Sequence, residues 1–368
     1  PEAQAAGALY VSAENAMFNN VFGGAQIIEV VVINGQDETD EEQGEPVVKV
    51  DENQLRMAQG VDGNWYGYFG DKTQVPLADE SSYLNFGTDS DPTIYKGDWA
   101  EASNVYKNQA GSPQNVATNY PTLSAWNNTG TAEGVANASI GQIGIAQADW
   151  PVIQLYDFTI GEFSVVLEQA GADEVVTLDF NSADLDDYAS LTLDRSSASQ
   201  ESEIHLVITD NQLNIDPTAE DIVSFWVGGS SLTNGVSWMN RTTTWGDTDY
   251  IAYSNAFDDN GKLIINNATN GGASILANDA TLDDATADNY MIFYEGGENS
   301  GIFYNTDDND DASIVVADAA KRGFTATFDY NDSAQSFVVA NDFGTIDMEE
   351  ASVGDEWNSG EALTVTLI

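Results

Sequence analysis

The stretch EIHLVITDNQLNIDPTAEDIVSFWV, residues 203–227, contains the pattern that decides the fold. Its first half alternates, so that Ile204, Leu206 and Ile208 face one way and the residues between them face the other, as in a half-buried β-strand. A polar, acidic turn follows, and a second β-rich run, IVSFWV, begins at residue 222. Strand, polar turn and strand are the unit from which we expect the chain to be built.

Similar runs of β-branched and aromatic residues recur along the whole chain, separated by turns rich in Asn, Asp, Gly and Ser. They include IIEVVVI, WYGYF, VVTLDF, YMIFYE, FTATFDY and LTVTLI, whereas candidate helices are few and short. This pattern predicts an all-β protein, most simply a set of antiparallel sandwiches.

A weak internal repeat organises these runs. An apolar strand that leads into a polar turn begins at Ile28, at Ile204 and at Leu363, at spacings of roughly 160 to 175 residues. The last of the three stops where the first strand of a new domain would be under way, so we expect the chain to be the N-terminal part of a longer protein. The predicted organisation is an N-terminal β-domain over residues 1–199, a second over 200–358, and the first strand of a further domain over 359–368.

Acidic residues dominate the charge of the chain. It has 61 Asp and Glu against 10 Lys and Arg, which gives a formal net charge of −51. Such a charge opposes a compact state through self-repulsion, and high salt screens it, so the composition suits brine or seawater. The few cations cannot form the basic face that a polyphosphate requires, so we expect no nucleic-acid partner.

Catalytic chemistry has little support in the sequence. The chain has no Cys and one histidine, His205, which we interpret as a residue of the surface or of a sheet edge. A G-x-S-x-G elbow, a P-loop and a G-x-G-x-x-G turn are missing. We therefore predict that the protein is not an enzyme. A secreted glycosidase remains a third hypothesis, because a catalytic carboxylate pair cannot be recognised among so many acidic residues.

One loop has the oxygen-rich pattern that calcium prefers. In NTDDNDDASIVVAD, residues 305–318, Asp307, Asn309 and Asp311 follow the 1, 3, 5 spacing of a loop that wraps the ion. Ala312 stands where an EF-hand requires Gly, and the flanks are strand-like. We therefore predict a hard-cation site here that is not an EF-hand.

A second loop of this kind, TDNQLNIDPTAED, residues 209–221, comes directly after a predicted strand. Clustered carboxylates at a strand end repel one another until a cation neutralises them, so the loop predicts a structural site for Ca²⁺ or another divalent cation. The candidate ligands are Asp210, Asn214, Asp216 and Asp221, with Glu220 beside them.

Several features suit an exported protein. The start of the chain has no initiator Met and no basic segment, which is typical either of a mature terminus after a signal peptide is removed or of the edge of an excised fragment. A run of about 20 apolar residues is missing, so we expect no transmembrane segment in this chain. Five Asn-x-Ser/Thr sequons are candidate glycosylation sites: Asn127, Asn137, Asn240, Asn267 and Asn331.

Residues 83–150 differ in composition from the rest of the chain, because they are rich in Pro, Gly and Asn and contain spaced aromatic residues. We interpret it as a loop-rich insertion in the first domain. Its aromatic residues either anchor irregular loops or form platforms that stack on sugars.

Three phrases in this order resemble the surface-layer (S-layer) proteins of ammonia-oxidising archaea: AGALYVSAENAMFNNVFGGAQIIEVVV at residues 6–32, LRMAQGVDGNWYGYFGD at 55–71 and VGDEWNSGEALTVTLI at 353–368. The resemblance implies a secreted, glycosylated string of tandem immunoglobulin-like β-sandwich domains that tiles the cell surface as a two-dimensional lattice. It also implies acidic loops that bind cations, which agrees with the seven candidate ligands above, and it brings no catalytic motif.

The leading hypothesis is therefore an extracellular, self-assembling, negatively charged porous lattice that binds small cations and enriches ammonium. The alternative is a secreted adhesin or carbohydrate-binding surface protein that uses residues 83–150. A lattice subunit would assemble with calcium, whereas an adhesin would bind its partner as a dispersed monomer.

Overall fold

The computed structural model of the chain describes the following residues: 8–33, 45–51, 53–60, 62–71, 73–75, 153–218, 220–226, 235–239, 262–267, 275–278, 290–306, 311–341, 346–349 and 364–367. They form β-strands in several sheets with almost no helix, which confirms the predicted all-β class. Within these residues, no helix is long and apolar enough to cross a membrane.

The first β unit comprises two sheets, each of five strands within the described residues. One sheet contains, in spatial order, β1 (Leu9–Val11), β3 (Ile28–Val32), β7 (Trp65–Asp71) and β6 (Ala58–Gln59), with β8 (Ile153–Tyr156) paired in parallel to β7. The other contains β2 (Val21–Phe22), β10 (Glu174–Phe180), β9 (Gly161–Leu167), β4 (Val48–Val50) and β5 (Asn53–Leu55).

An aromatic cluster joins the two sheets of this unit. Phe22 of β2 meets Phe69 of β7 edge to face, with ring centroids 6.3 Å apart, and both rings contact Phe158. Phe158 in turn stacks on Phe163 of β9 at 4.7 Å. Edge-to-face and offset pairs of this kind contribute about 0.5–1.5 kcal/mol each beyond the burial of their area. The core of the first unit therefore lies between its sheets.

The second β unit is one large sheet, with ten strands in the part of the chain that the structure describes. The spatial order is β11 (Ser190–Leu193), β13 (Leu206–Thr209), β19 (Ile302–Tyr304), β18 (Tyr290–Glu295), β14 (Ile222–Trp226), β15 (Gly235–Met239), β16 (Lys262–Asn267), β21 (Thr325–Tyr330), β22 (Ser333–Val339) and β12 (Ser197–Ala198).

This sheet curls until its two ends meet. β11 pairs with β13 at one end and β12 pairs in parallel with β22 at the other, yet β11 and β12 are consecutive in the chain. The amide of Leu191 in β11 also donates a hydrogen bond to Ser333 Oγ of β22, at 3.2 Å. The curled sheet encloses buried residues from both of its ends, including Ile208, Phe293 and Phe328.

Short elements complete the fold. A helix, α1 (Ser182–Leu185), and two 3-10 turns, Ala16–Phe18 and Asn211–Leu213, lie beside the strands. Two small antiparallel sheets pair β17 (Leu276–Asn278) with β20 (Ile314–Val316), and β23 (Ile346–Glu349) with β24 (Thr364–Leu367).

The strand pairing bears on the predicted repeat and on the predicted boundary at residue 199. β23 and β24 pair antiparallel over four residues each, as β11 and β13 do, and the predicted repeat stays a prediction. β11 and β12 lie ahead of residue 199 and belong to the sheet of the second unit. Sheet membership therefore changes between Phe180 and Ser190.

Candidate functional site: the acidic junction between the two β units

The loop after β13 is polar in sequence and buried in the structure. Asp210 and Gln212 have no exposed surface, and Asn214 and Asp216 have 2% and 1%. Polar residues of this kind are buried only when hydrogen bonds replace those to water. The loop therefore needs partners from elsewhere in the fold, and these partners define the candidate site.

Backbone and side-chain hydrogen bonds join this loop to the first β unit. The amide of Ile27 donates to the carbonyl oxygen of Ile215 at 3.0 Å. Gln26 Nε2 donates to the carbonyl oxygen of Asn214 at 3.3 Å. Asn211 Nδ2 donates to the carbonyl oxygen of Val21 at 3.4 Å. We call the loop 210–216, the turn 296–301 and the residues of the first unit that they contact the junction.

The turn between β18 and β19 forms the other half of the junction. Asn299, with φ 57°, donates from Nδ2 to the carbonyl oxygen of Ser12 at 3.0 Å and accepts from Asn214 Nδ2 at 2.8 Å. Gly301, with φ 64°, lies so close to Phe18 that an added Cβ would be 3.0 Å from two ring carbons. One asparagine thus links both halves to the first unit, and one glycine permits the close approach.

Two aspartates close the loop on itself. Asp221 Oδ2 accepts the amides of Ile215 at 2.6 Å and Asp216 at 2.9 Å. Asp216 Oδ1 accepts both the amide and the hydroxyl of Thr218, at 2.9 and 2.6 Å. These carboxylates hold backbone amides that the strands leave without partners, so each has a structural role within the loop.

Glu295, at the end of β18, holds the turn 296–301. Its Oε1 accepts the amides of Ser300 at 2.7 Å and Gly301 at 2.8 Å, and its Oε2 accepts the amide of Asp221 at 3.0 Å. Burial raises the pKa of Glu295 to about 7, although these hydrogen bonds favour the ionised form. Glu295 therefore connects the turn to the loop through one carboxyl group.

Asp210 is the second buried carboxyl with a pKa near neutrality. Burial raises the pKa of Asp210 to about 7, and the hydrogen bonds from Tyr330 and Gln212 oppose this shift. The Tyr330 hydroxyl donates to Oδ2 at 2.6 Å and the Gln212 amide to Oδ1 at 2.9 Å. Among the described residues, no Lys or Arg forms an ion pair with Asp210 or Glu295. Hydrogen bonds alone therefore stabilise the ionised forms of these two carboxyl groups.

Negative charge continues across the junction into the first unit. The Tyr68 hydroxyl donates to Glu29 Oε1 at 3.0 Å. Burial raises the pKa of Glu29, the hydrogen bond from Tyr68 lowers it, and the charges of Asp216 and Glu298 raise it again. Glu29 of the first unit is therefore repelled by two carboxyl groups of the second unit. No group of three or more His, Cys, Asp and Glu close enough to hold a metal ion occurs in the described ranges.

The predicted calcium ligands occupy different environments. Asp210, Asn214 and Asp216 lie in the junction, and Asp221 binds the amides of Ile215 and Asp216 from outside it. Asp210 uses both carboxylate oxygens for hydrogen bonds. Asn214 Oδ1 is buried and accepts no hydrogen bond. In the other loop, Asp311 is exposed, whereas Asp307 and Asn309 lie outside the described residues. Calcium binding at either loop stays a prediction.

Two sequons fall in the described part of the chain. Asn331 lies at the tip of the β21–β22 hairpin, where both Asn331 and Asp332 have positive φ, at 46° and 63°, as a type I′ turn requires. The backbone of Asn267 ends β16. Asn127, Asn137 and Asn240 lie outside the described residues, as does the whole insertion 83–150 on which the adhesin alternative depends.

His205 lies on the surface of the second unit, with its side chain 35% exposed. Its Nε2 is 3.3 Å from a carboxylate oxygen of Glu203, and its Nδ1 is 3.9 Å from one of Asp194. His205 lies outside the junction.

Sequence reasoning missed four residues that complete the junction: Glu29, Glu295, Asn299 and Tyr330. Glu295 did carry a signal, since an acidic residue ends the apolar run YMIFY immediately before two glycines. The others come from distant parts of the chain and have no local motif.

Neither a protein-family model nor a curated protein matches this chain. Fold and site together define a class only: an all-β protein whose two β units are joined through a buried acidic junction.

Proposed function

We propose that this protein is a non-catalytic subunit of a surface layer, secreted to the cell exterior, where it assembles with copies of itself into a negatively charged porous lattice. The three phrases that resemble S-layer proteins of ammonia-oxidising archaea support the proposal. The net charge of −51 supports it as well, because an extracellular protein in salt water tolerates such a charge.

The junction is the structural observation that carries the proposal. Domains in one chain move relative to one another unless their interface is large and well packed. Here the two units exchange buried hydrogen bonds at Ile27, Gln26 and Asn299, and Gly301 packs against Phe18. A joint of this kind fixes the angle between the units, and a lattice subunit needs a fixed angle to repeat with constant spacing.

We further propose that both units are immunoglobulin-like sandwiches. Two features support this assignment. The sheets of the first unit pack through aromatic rings, and the chain passes from β11 at one end of the curled sheet to β12 at the other. In a sandwich domain the inner faces of the strands share one core, and a first segment that pairs at both ends of the sheet brings those ends together over such a core.

The lattice would select small cations. At the ionic strength of seawater the field of each charge extends only a few ångströms, so enrichment of ammonium must occur in narrow, charge-lined pores or at direct contacts. Glu29 and Glu298 are an example of neighbouring negative charges that no described Lys or Arg neutralises.

The proposal includes bound divalent cations, and only some of the candidate ligand residues have oxygen atoms that are suited to bind one. Calcium takes six to eight oxygen ligands. Asn214 Oδ1 and the carboxylate of Asp216 fit as ligands, because the first is buried without a donor and the second faces like charge. Asp210 fits poorly because Tyr330 and Gln212 already occupy its oxygens. When bound, calcium would neutralise the carboxylates; Asp307, Asn309 and Asp311 are the second candidate set.

Electron microscopy of the purified protein with calcium and with excess chelator tests the proposal. We expect ordered sheets with calcium and dispersed protein with chelator, because strongly acidic subunits need cations to pack side by side. Intact sheets should also take up ammonium in preference to nitrate. The proposal is contradicted if the protein stays monomeric under all conditions or if the sheets admit both ions alike at seawater salt. Either result would favour the adhesin alternative.

A further inference from the structure

The described cations of this acidic chain are mostly neutralised within the molecule. Lys49 pairs with Glu168, Arg56 is buried against Glu45 at 2.8 Å, and Arg195 pairs with Asp194 at 2.7 Å. Lys321 is different, because within the described part of the chain its ammonium group forms no ion pair. A cation without a carboxylate is unexpected where acids outnumber bases by 61 to 10.

Lys321 and its neighbour Arg322 are exposed on a well-defined turn between β20 and β21. The amide of Phe324 donates to the carbonyl oxygen of Lys321 at 3.3 Å, and Gly323 has φ 77°, as the third position of a type II turn requires. The amide of Gly323 also donates to the carbonyl oxygen of Val339 at 2.8 Å, which fixes the turn to β22. We call Lys321 and Arg322 the basic corner.

One side chain braces the basic corner from the neighbouring segment. Gln200 Nε2 donates to the carbonyl oxygen of Ala320 at 2.8 Å, and Gln200 Oε1 accepts from Arg322 Nη2 at 3.3 Å. The Lys321 ammonium lies 6.0 Å from the centroid of the Phe324 ring. The backbone of the turn and the Arg322 guanidinium are therefore restrained, which lowers the entropy lost when the corner binds a partner.

The exposed side chains of the strands beside the basic corner are uncharged. Thr325 of β21, Ser336 and Val338 of β22 and Ser197 of β12 are exposed on adjacent strands, and Val338 is 37% exposed. Small and β-branched side chains on a regular sheet permit close approach of another protein surface. A basic rim beside such a face is suited to an acidic protein partner.

The same chain has an acidic surface without cations of its own. Glu162, Asp184 and Asp187 are exposed, and no described Lys or Arg forms an ion pair with them. Burial raises the pKa of Asp179, and the charges of Asp184 and Glu162 raise it further, so these groups are close enough to repel one another. We call Glu162, Asp179, Asp184 and Asp187 the acidic patch.

We propose that the basic corner of one copy of this chain docks on the acidic patch of a second copy. The two surfaces differ and lie on separate elements, so the contact is heterologous and leaves an unused corner and an unused patch at its ends. Such a contact joins copies into a ring or a chain, and a lattice then requires a further contact between these assemblies. This inference rests on the proposed assembly function and names the surface that performs it.

Salt decides whether such a contact can outweigh the repulsion between subunits. Repulsion between two highly charged chains acts over distance and is largely removed when the Debye length falls to about 3 Å at 1 M salt. Direct contacts between a guanidinium or ammonium group and a carboxylate are screened less. We therefore expect self-association to strengthen as salt rises from low to seawater levels.

The test compares Lys321→Glu with Arg195→Glu in the full chain by sedimentation velocity at seawater salt. Each substitution changes the net charge by the same amount, but Arg195 already pairs with Asp194. We expect Lys321→Glu to weaken self-association by about tenfold, because a pair of opposite charges becomes a pair of like charges, and Arg195→Glu to change it little. Asp184→Lys should weaken it similarly, and a mixture of the Lys321→Glu and Asp184→Lys chains should associate again.

The proposed contact is contradicted if Lys321→Glu and Arg195→Glu weaken self-association equally, or if the two complementary variants do not associate with each other. Circular dichroism of each variant checks the fold, and Lys321→Gln with Arg322→Gln gives a milder pair if the reversal unfolds the chain. Sheets of normal spacing formed by Lys321→Glu would reject this contact and leave the proposed lattice standing. A wild-type chain that never associates would reject both.

Discussion

The side-chain amide of Asn299 donates a hydrogen bond to the carbonyl oxygen of Ser12, 3.0 Å away and 287 positions earlier in the chain. The same side chain accepts from Asn214 at 2.8 Å, so a single residue in a left-handed turn ties the loop 210–216 and the turn 296–301 to β1 of the first unit.

Asn299→Gly should loosen the junction. Glycine accepts φ 57° without strain, so the substitution removes only the side-chain bonds and leaves the Asn214 amide without that partner. We expect a loss of about 1–3 kcal/mol in the free energy of unfolding, measured by denaturant titration. Asn331→Gly is the matched control, with φ 46° in a hairpin turn away from the first unit. If both variants lose the same stability, Asn299 does not join the units.

Gly301→Ala should be more harmful than Gly323→Ala. Both glycines have positive φ, at 64° and 77°, so both substitutions carry the cost of a left-handed alanine. A Cβ at Gly301 would also lie 3.0 Å from carbons of Phe18, whereas one at Gly323 meets nothing within 4 Å. We expect an additional loss of about 1–3 kcal/mol for Gly301→Ala from overpacking, read from thermal unfolding. Equal losses of stability would show that the two units are not closely packed at Gly301.

Tyr330→Phe should destabilise the protein most above neutral pH. The substitution removes the hydroxyl that donates to Asp210 Oδ2 at 2.6 Å and leaves a buried carboxylate with one donor fewer. A hydrogen bond to a charged group contributes about 1.5–3 kcal/mol, and less is lost at pH 5, where Asp210, with a pKa of about 7, is protonated. Denaturant titrations at pH 5 and pH 8 measure this, with exposed Tyr304→Phe as the control. A loss that does not depend on pH would contradict the assigned ionisation.

Glu295 should make the protein less stable as the pH rises. Its pKa of about 7 in the folded chain exceeds the ordinary value of 4.5, so its contribution is fully present below about pH 4.5 and is lost as the pH rises through 7. Each unit of difference corresponds to about 1.4 kcal/mol, which places the effect on the order of a few kcal/mol.

Melting temperatures between pH 5 and pH 8 test this expectation. Glu295→Gln should melt lower overall, because an amide cannot accept all the hydrogen bonds that the carboxylate accepts, but its melting temperature should vary less with pH. Glu298→Gln changes an exposed carboxyl in the same turn and should keep the wild-type slope. An unchanged slope in Glu295→Gln would assign the pH dependence to other groups.

Calcium should raise the melting temperature of the wild type, and Asp216→Ala or Asp311→Ala should reduce that gain. A cation at Asp216 would relieve its repulsion with Glu29, and Asp311 belongs to the second oxygen-rich loop. Differential scanning calorimetry with and without chelator measures the gain. A wild-type melting temperature that calcium leaves unchanged means that neither site exists as described.

The strands could be predicted from the sequence because their periodicity is local. The alternation around Ile204 predicted a half-buried strand, and Leu206 and Ile208 are indeed buried while His205 is partly exposed. The curl of the ten-stranded sheet and the parallel pairing of β12 with β22 could not be predicted, because these depend on contacts between residues more than a hundred positions apart.

The sequence singled out the loop that forms part of the candidate site, but it did not predict the surroundings of that loop in the fold. The loop 209–221 was singled out for its clustered carboxylates, which were expected to repel one another at a strand end. Asp210 and Asp221 instead accept hydrogen bonds from Tyr330 and from backbone amides. Tyr330 comes from β21, and the amides are positioned by the folded conformation of the loop. The spacing of residues within the loop sequence therefore could not indicate these donors.

The parallel pairing of β12 with β22 has a mechanical consequence. The chain enters the second unit through β11 and β12 and leaves it after β22. The amides of Val338 and Ala340 donate to the carbonyl oxygens of Ser196 and Ala198 at 2.9 and 2.8 Å. Tension applied to the two ends of the unit pulls parallel neighbours in opposite directions along their length. These bonds would then be sheared together instead of being unzipped one at a time, so this arrangement resists extension of the unit.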